Sequence, residues 1–96
     1  MKRASKYRDL TNNKSLFYTL QYEETHPVIM HKIEDAIMTA VGNGQYICSL
    51  SLTSLSDYDI KMITKVLTYY EFSSDYNISN YINESCQDIM LTIHWA

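Results

Sequence analysis

Histidine and cysteine side chains are the groups in this 96-residue chain that could form a nucleophile–base pair or bind a metal ion. They are few, namely His26, His31, His94, Cys48 and Cys86, with Asp57 and Asp59 as further possible metal ligands. His26 and His31 would lie about 140° apart around a helix, and the cysteines lack a zinc-binding spacing. The sequence therefore predicts no catalytic residue, no metal site and no cofactor, and it predicts that both thiols are reduced.

Two pairs of adjacent carboxylates, Glu23–Glu24 and Glu34–Asp35, could suggest acid–base chemistry. Neighbouring positions diverge by about 100° on a helix, so the two members of a pair do not face one substrate. The turn at Gly42–Gly44 could cradle a phosphate, but it follows a predicted helix, which is the reverse of a phosphate-binding loop. We interpret the two carboxylate pairs as parts of a solvated surface, and Gly42–Gly44 as the end of a helix.

Charge is divided unevenly along the chain. Residues 1–14 carry five cations and one carboxylate, a net charge of +4, whereas residues 15–96 carry three lysines and ten carboxylates, a net charge of −7. We predict a flexible basic leader (residues 1–14) followed by a single domain (residues 15–96). The candidate nucleic-acid contacts in the leader are Lys2, Arg3, Lys6, Arg8 and Lys14. The acidic domain (residues 15–96) could instead bind a basic protein as a mimic of DNA.

Tyrosine is abundant, with nine residues. So small a core cannot bury all of them, and exposed tyrosine is favoured at protein interfaces because a large ring is ordered at low entropy cost. The candidate partner-binding residues are Tyr58, Tyr69, Tyr70, Tyr76 and Tyr81. Ordinary partial burial, with the hydroxyl groups in water, is the alternative interpretation.

The first of two predicted amphipathic helices starts at Pro27, with Thr25 or His26 as its cap. Its apolar residues recur at helical spacing and predict one buried stripe. These residues are Ile29, Ile33, Ala36, Ile37, Ala40 and Val41. Gly42 is predicted to close the helix in the left-handed conformation.

The second helix is predicted to follow Ser56, which can form a capping box with Asp59. Leu55 and Ile60 flank this cap as a hydrophobic staple. The stripe predicted to face the core consists of Ile60, Ile63, Val66, Leu67 and Tyr70.

Strands are predicted where apolar and polar residues alternate, in residues 45–53 and 88–95. A short strand is predicted at 71–76 and a polar turn at 77–85. Residues 15–22 also alternate and favour a strand, with a helix as the alternative. The predicted fold class is α+β, with order (β)αβαββ and two amphipathic helices packed on one face of a three- or four-stranded sheet.

Composition excludes several classes of protein. A hydrophobic content of 46% and a charged content of 20% are typical of a globular chain. No run of 18 apolar residues predicts a membrane span, and the basic N-terminus lacks the apolar stretch of a secretory signal. We therefore expect a cytoplasmic protein without membrane association.

Part of the chain, roughly residues 25–96, resembles small uncharacterised bacteriophage proteins. The resemblance rests on Lys32–Ile37, on Ala40, Gly42 and Gly44, and on the ending Ile93–Trp95. In such proteins a helix, a glycine turn, a strand, a capped helix and a hairpin often follow one another along the chain, and the sequence ends in Ile-x-Trp. The resemblance implies an accessory protein, made to act on host machinery by binding.

These observations together predict a protein without enzymatic activity. We expect it to bind a host protein stoichiometrically, as an inhibitor or modulator of host machinery or defence. Homo-oligomers are a further expectation, because sheet edges and exposed tyrosines favour self-association. The alternatives are a nucleic-acid-associated protein that uses the leader, or an acidic DNA mimic.

Overall fold

The computed structural model describes residues 3–96, except for the side chains of Lys6, Asp9 and Leu10. The described part contains four helices and three strands. In chain order these are α1 (Ala4–Asn12), α2 (Lys14–Thr25), α3 (Pro27–Gly42), β1 (Ile47–Leu55), α4 (Asp57–Tyr69), β2 (Ser73–Asn83) and β3 (Cys86–His94).

The three strands form one antiparallel sheet in the order β1–β3–β2. Leu91 of β3 pairs with Leu50 of β1 on one side and with Tyr76 of β2 on the other. Because β1 and β2 both run antiparallel to β3, they are parallel to each other, and α4 connects them across one face of the sheet. The predicted α+β class is confirmed.

The core lies between this face of the sheet and the helices. Ile89, Leu91 and Ile93 of β3 are buried, as their alternation predicted. Ile33 of α3 and Ile63 of α4 belong to the same buried cluster. Two helices therefore cover one face of the sheet, as expected, and α2 packs against both of them.

Residues 15–22 are helical, so the strand favoured for them is wrong and the helical alternative is right. Asn13 caps α2, since its side-chain oxygen accepts a hydrogen bond from the Leu16 backbone N–H at 3.1 Å. Thr19 and Leu20 are buried, whereas Tyr18 is exposed. Burial therefore follows the helical spacing that begins at Leu16, rather than the alternation of a strand.

The second correction concerns β2. A short strand at 71–76 and a polar turn at 77–85 were expected, but β2 runs from Ser73 to Asn83 and only residues 84–85 turn. The Asn83 side chain accepts hydrogen bonds from the backbone N–H groups of Ser85 (2.8 Å) and Cys86 (3.0 Å). Pairing with β3 satisfies the backbone of this polar segment, which its composition does not reveal.

The basic leader contains regular structure where a loose segment was predicted. Residues Ala4–Asn12 form α1, which contacts α2. Alanine, lysine, arginine and leucine favour a helix, and Asn13 separates α1 from α2. The division of the chain at residue 15 stays a prediction.

The observed helix ends agree only partly with those predicted from the sequence. The Ser56–Asp59 capping box is present at the start of α4. Pro27 occupies the first turn of α3 after His26, but His26 makes no side-chain cap bond. Gly42 is the last residue of α3, and Gly44 takes the left-handed conformation (φ 71°) that was predicted for Gly42.

Candidate protein-binding surface

Tyr76, Ile78 and Tyr81 lie on the helix side of β2. They pair with Leu91, Ile89 and Gln87 of β3, which are buried on that side. The three β2 side chains are nevertheless 46%, 38% and 70% exposed. The helices thus cover the centre of the sheet more fully than its β2 edge, and an aromatic and apolar surface remains in solvent.

A break in the strand register brings these side chains to one face. Tyr76 and Tyr81 are five positions apart, and an odd separation places residues on opposite faces of a regular strand. The register shifts between Ile78 and Asn80, so Ser79 is an extra residue. The bulge restores Tyr81 to the face of Tyr76 and Ile78.

The outer edge of β2 has no strand partner among the described residues. This strand is 11 residues long, and Asp75 is its one charged residue. It contains no proline, which would interrupt pairing. An exposed edge of this kind presents unpaired backbone N–H and C=O groups to another chain. The bulge at Ser79 and a second register shift between Tyr81 and Asn83 interrupt this edge, so its longest regular stretch is residues 73–78.

The five predicted tyrosines do not form one patch. Tyr76 and Tyr81 share the β2 surface, whereas Tyr58 lies in the first turn of α4, its ring 6.1 Å from that of Tyr22. Tyr69 and Tyr70 lie at the other end of α4, because the 11 positions from Tyr58 to Tyr69 span about 17 Å along the helix axis. The rings of Tyr69 and Tyr70 are 4.9 Å apart, edge to face. The structure therefore supports only the β2 pair as part of the candidate surface.

Tyr70 is held by a specific contact. Its hydroxyl donates a 2.7 Å hydrogen bond to Oε1 of Glu23 in α2. Burial, and then this carboxylate, raise the pKa of the Tyr70 hydroxyl well above its ordinary value. The ring lines a cleft between α3 and α4 rather than the sheet edge.

The candidate nucleic-acid contacts are described in part. Arg3, Arg8 and Lys14 are exposed. Lys2 lies outside the described residues, and the side chain of Lys6 is not described. Arg8 belongs to α1, and Lys14 begins α2.

A partly buried polar cluster between α2 and α4 was not anticipated from the sequence. The Tyr22 hydroxyl donates to Oδ1 of Asp59 at 2.8 Å, and the Ser56 hydroxyl donates to Oδ2 at 2.9 Å. The His26 ring stacks on Tyr22, with 3.8 Å between ring centroids. Two local signals could have placed Tyr22 on a helix: the cap at Asn13, and the helical spacing of Leu16, Thr19 and Leu20.

The other reactive side chains are dispersed. His31 and Asp35 are 3.4 Å apart on the exposed side of α3, and Cys48 and Cys86 are free thiols. Burial raises the pKa of the Cys48 thiol. Among the side chains that the structure describes, no group of three or more histidine, cysteine or acidic residues is placed to hold a metal ion.

Comparison with known proteins finds no matching protein family, no matching curated protein and no matching solved structure. None of the helices in the described part of the chain has both the length and the apolar character needed to cross a membrane.

Proposed function

We propose that this protein acts without enzymatic activity, by binding another protein stoichiometrically through β2. The observation that supports this proposal is the open, 11-residue edge strand with Tyr76, Ile78 and Tyr81 exposed beside it. An extended partner segment would add to the sheet as a fourth strand. Backbone hydrogen bonds would supply affinity, and the pockets between alternate side chains would supply specificity.

The tyrosines are suited to carry most of the binding energy. Tyrosine is enriched among the interface residues whose truncation costs most, because a rigid ring buries a large area while its hydroxyl can find a partner. Tyr76 and Tyr81 flank Ile78 on one face, so a paired strand would place its own side chains between them. Asp75 adds little charge repulsion toward an acidic partner.

Within this proposal the partner is a host protein, and the chain is a phage-like accessory protein that inhibits or modulates it in the cytoplasm. This part of the proposal extends the expectation, drawn from residues 25–96, that the chain is similar to small phage proteins. Two free thiols are in keeping with a reducing compartment.

The test is affinity capture from host lysate with matched variants. We expect the unmodified protein to retain a host protein in a defined ratio, and the double variant Tyr76→Lys/Tyr81→Lys to lose it, because two ammonium groups would face the added strand. Tyr46→Lys is the control, since Tyr46 is 65% exposed and precedes β1. Retention by the double variant would refute the role of β2.

Light scattering distinguishes a second copy of the chain from a host partner. A molecular mass twice that of the monomer, returning to the monomer value in the double variant, would assign β2 to self-pairing. That outcome would overturn the host-binding part of the proposal. A monomeric mass with capture of a host protein would support it.

A further inference from the structure

A cleft of about 480 Å³ opens between α3 and α4, and its lining includes none of the three exposed β2 side chains described above. Met30, Ile37 and Met38 line it from α3, Tyr70 follows the end of α4, and Phe72 adds an aromatic ring. Small-molecule sites typically measure about 300–1,000 Å³ and are lined mainly by apolar and aromatic groups. The size and the mainly apolar lining of the cleft fall within these ranges.

The charges of the cleft have one sign. Glu23 of α2 and Glu34 of α3 line it together with the apolar residues, and no lysine or arginine does so among the described residues. The Tyr70 hydroxyl donates to Oε1 of Glu23 at 2.7 Å and so orients the carboxylate. The other carboxylate oxygen of Glu23 can accept a further hydrogen bond. A carboxylate held in this way favours a cationic donor, since charge-assisted hydrogen bonds are stronger than neutral ones.

We propose that this cleft binds a small organic cation, with an apolar body and a protonated amine. The amine would donate to Glu23 and lie near Glu34, and the body would contact Met30, Met38 and Phe72. Methionine side chains are flexible and polarizable, so such a lining accepts bodies of differing shape. This inference goes beyond the proposed strand pairing and does not depend on it.

The chain contains its own reporter for this site. Trp95 is its single tryptophan, and its ring lies edge to face with Phe72 at 5.9 Å between centroids. A ligand against Phe72 should alter Trp95 fluorescence. Amide chemical shifts of α3 and α4 supply a second measurement that does not rely on Trp95.

Three probes with one apolar body separate charge from hydrophobic contact: octylamine, 1-octanol and octanoate. We expect octylamine to bind about fivefold more tightly than octanol, the upper range for a partly exposed charge pair. Octanoate should bind most weakly because its carboxylate meets two others. Equal binding of all three, tighter binding of octanoate, or no shift with octylamine at millimolar concentration would overturn the proposal.

Two variants test the named residues. Glu23→Gln keeps an oxygen for Tyr70 and removes the charge, so we expect octylamine to fall to the affinity of octanol while octanol binding is unchanged. Met38→Lys places an ammonium group at the exposed rim and should compete with octylamine. Met90→Lys is the matched control, because Met90 is exposed on β3, outside the cleft. If the Met90 variant lost binding as fully as the Met38 variant, the site would be misplaced.

Discussion

The hydroxyl of Tyr22 donates a 2.8 Å hydrogen bond to Oδ1 of Asp59, which joins α2 to the first turn of α4 across 37 positions of the chain. The other oxygen of Asp59 accepts from the backbone N–H of Ser56 at 3.1 Å and from its hydroxyl at 2.9 Å. Asp59 therefore serves both the cap of α4 and the contact between two helices. Burial alone would raise the pKa of this carboxyl, but hydrogen bonds from Ser56 and Tyr22 outweigh it and hold the pKa below its ordinary value.

Removal of the Tyr22 hydroxyl tests this contact directly. In Tyr22→Phe the ring still fills its buried position, where 2% is exposed, but Asp59 loses one donor. A hydrogen bond to a charged group contributes about 1.5–3 kcal/mol, so we expect urea unfolding to show a loss of about 2 kcal/mol. Tyr18→Phe, on the exposed side of α2, is the control and should change the free energy of unfolding by less than about 0.5 kcal/mol. Equal effects of the two variants would contradict the assignment.

Acid should remove the contribution of Asp59. A carboxyl whose pKa is lower in the folded state stabilises the protein above its unfolded pKa of about 3.9, and this stabilisation is lost as pH falls through the folded pKa. We expect Asp59→Asn to be less stable than the unmodified protein at pH 6, with the difference shrinking toward pH 2. Urea unfolding at several pH values measures this difference. A difference independent of pH would show that the charge of Asp59 contributes nothing.

Local signals made α4 and β3 predictable, whereas α2 and β2 depend also on non-local partners. The Ser56–Asp59 capping box and the alternation of β3 are contained in short segments of sequence. By contrast, the alternation of residues 15–22 favours a strand, whereas the local cap at Asn13 and the distant contact of Tyr22 with Asp59 both belong to the helix. The polar half of β2 forms a strand because β3 lies beside it, which no local pattern reveals.

The candidate surface was predictable only as a set of residue types. Tyr76 and Tyr81 could be named from their abundance and setting, but their shared face depends on the bulge at Ser79. The cleft was not anticipated, because Glu23, Met38 and Phe72 come from three separate segments. These three residues come together only in the folded chain, where α2, α3 and the segment after α4 lie side by side.

Helices α3 and α4 end in the same hydrogen-bonded motif with different residues at its left-handed position. Gly44 takes that position after α3 (φ 71°), and Glu71 takes it after α4 (φ 69°). In each case the next residue donates back to the helix at 2.9 Å, Gln45 to Ala40 and Phe72 to Leu67. This is the pattern of a Schellman motif, which favours glycine because a Cβ is disfavoured in that conformation.

The two ends should respond to substitution with opposite signs. We expect Gly44→Ala to lower the free energy of unfolding by about 1 kcal/mol and Glu71→Gly to raise it by a similar amount. A Cβ at Gly44 would meet nothing within 4 Å, so the cost is in the backbone alone. Thermal unfolding of both variants measures the effect. Gly42→Ala, within α3, serves as the control and should not destabilise the protein, and a loss as large as that of Gly44→Ala would contradict the assignment.

The basic leader provides the test that separates protein binding from nucleic-acid binding. Deletion of residues 1–12 removes four of the five cations yet keeps Asn13, which caps α2. Under the proposed function, we expect the unmodified protein to show no salt-dependent retention on DNA or RNA, and the deletion to leave partner capture unchanged. If the five cations contacted phosphates instead, log K would fall with log salt at a slope of up to about −4.5. Such a slope, lost on deletion of residues 1–12, would favour the nucleic-acid alternative over the proposed one.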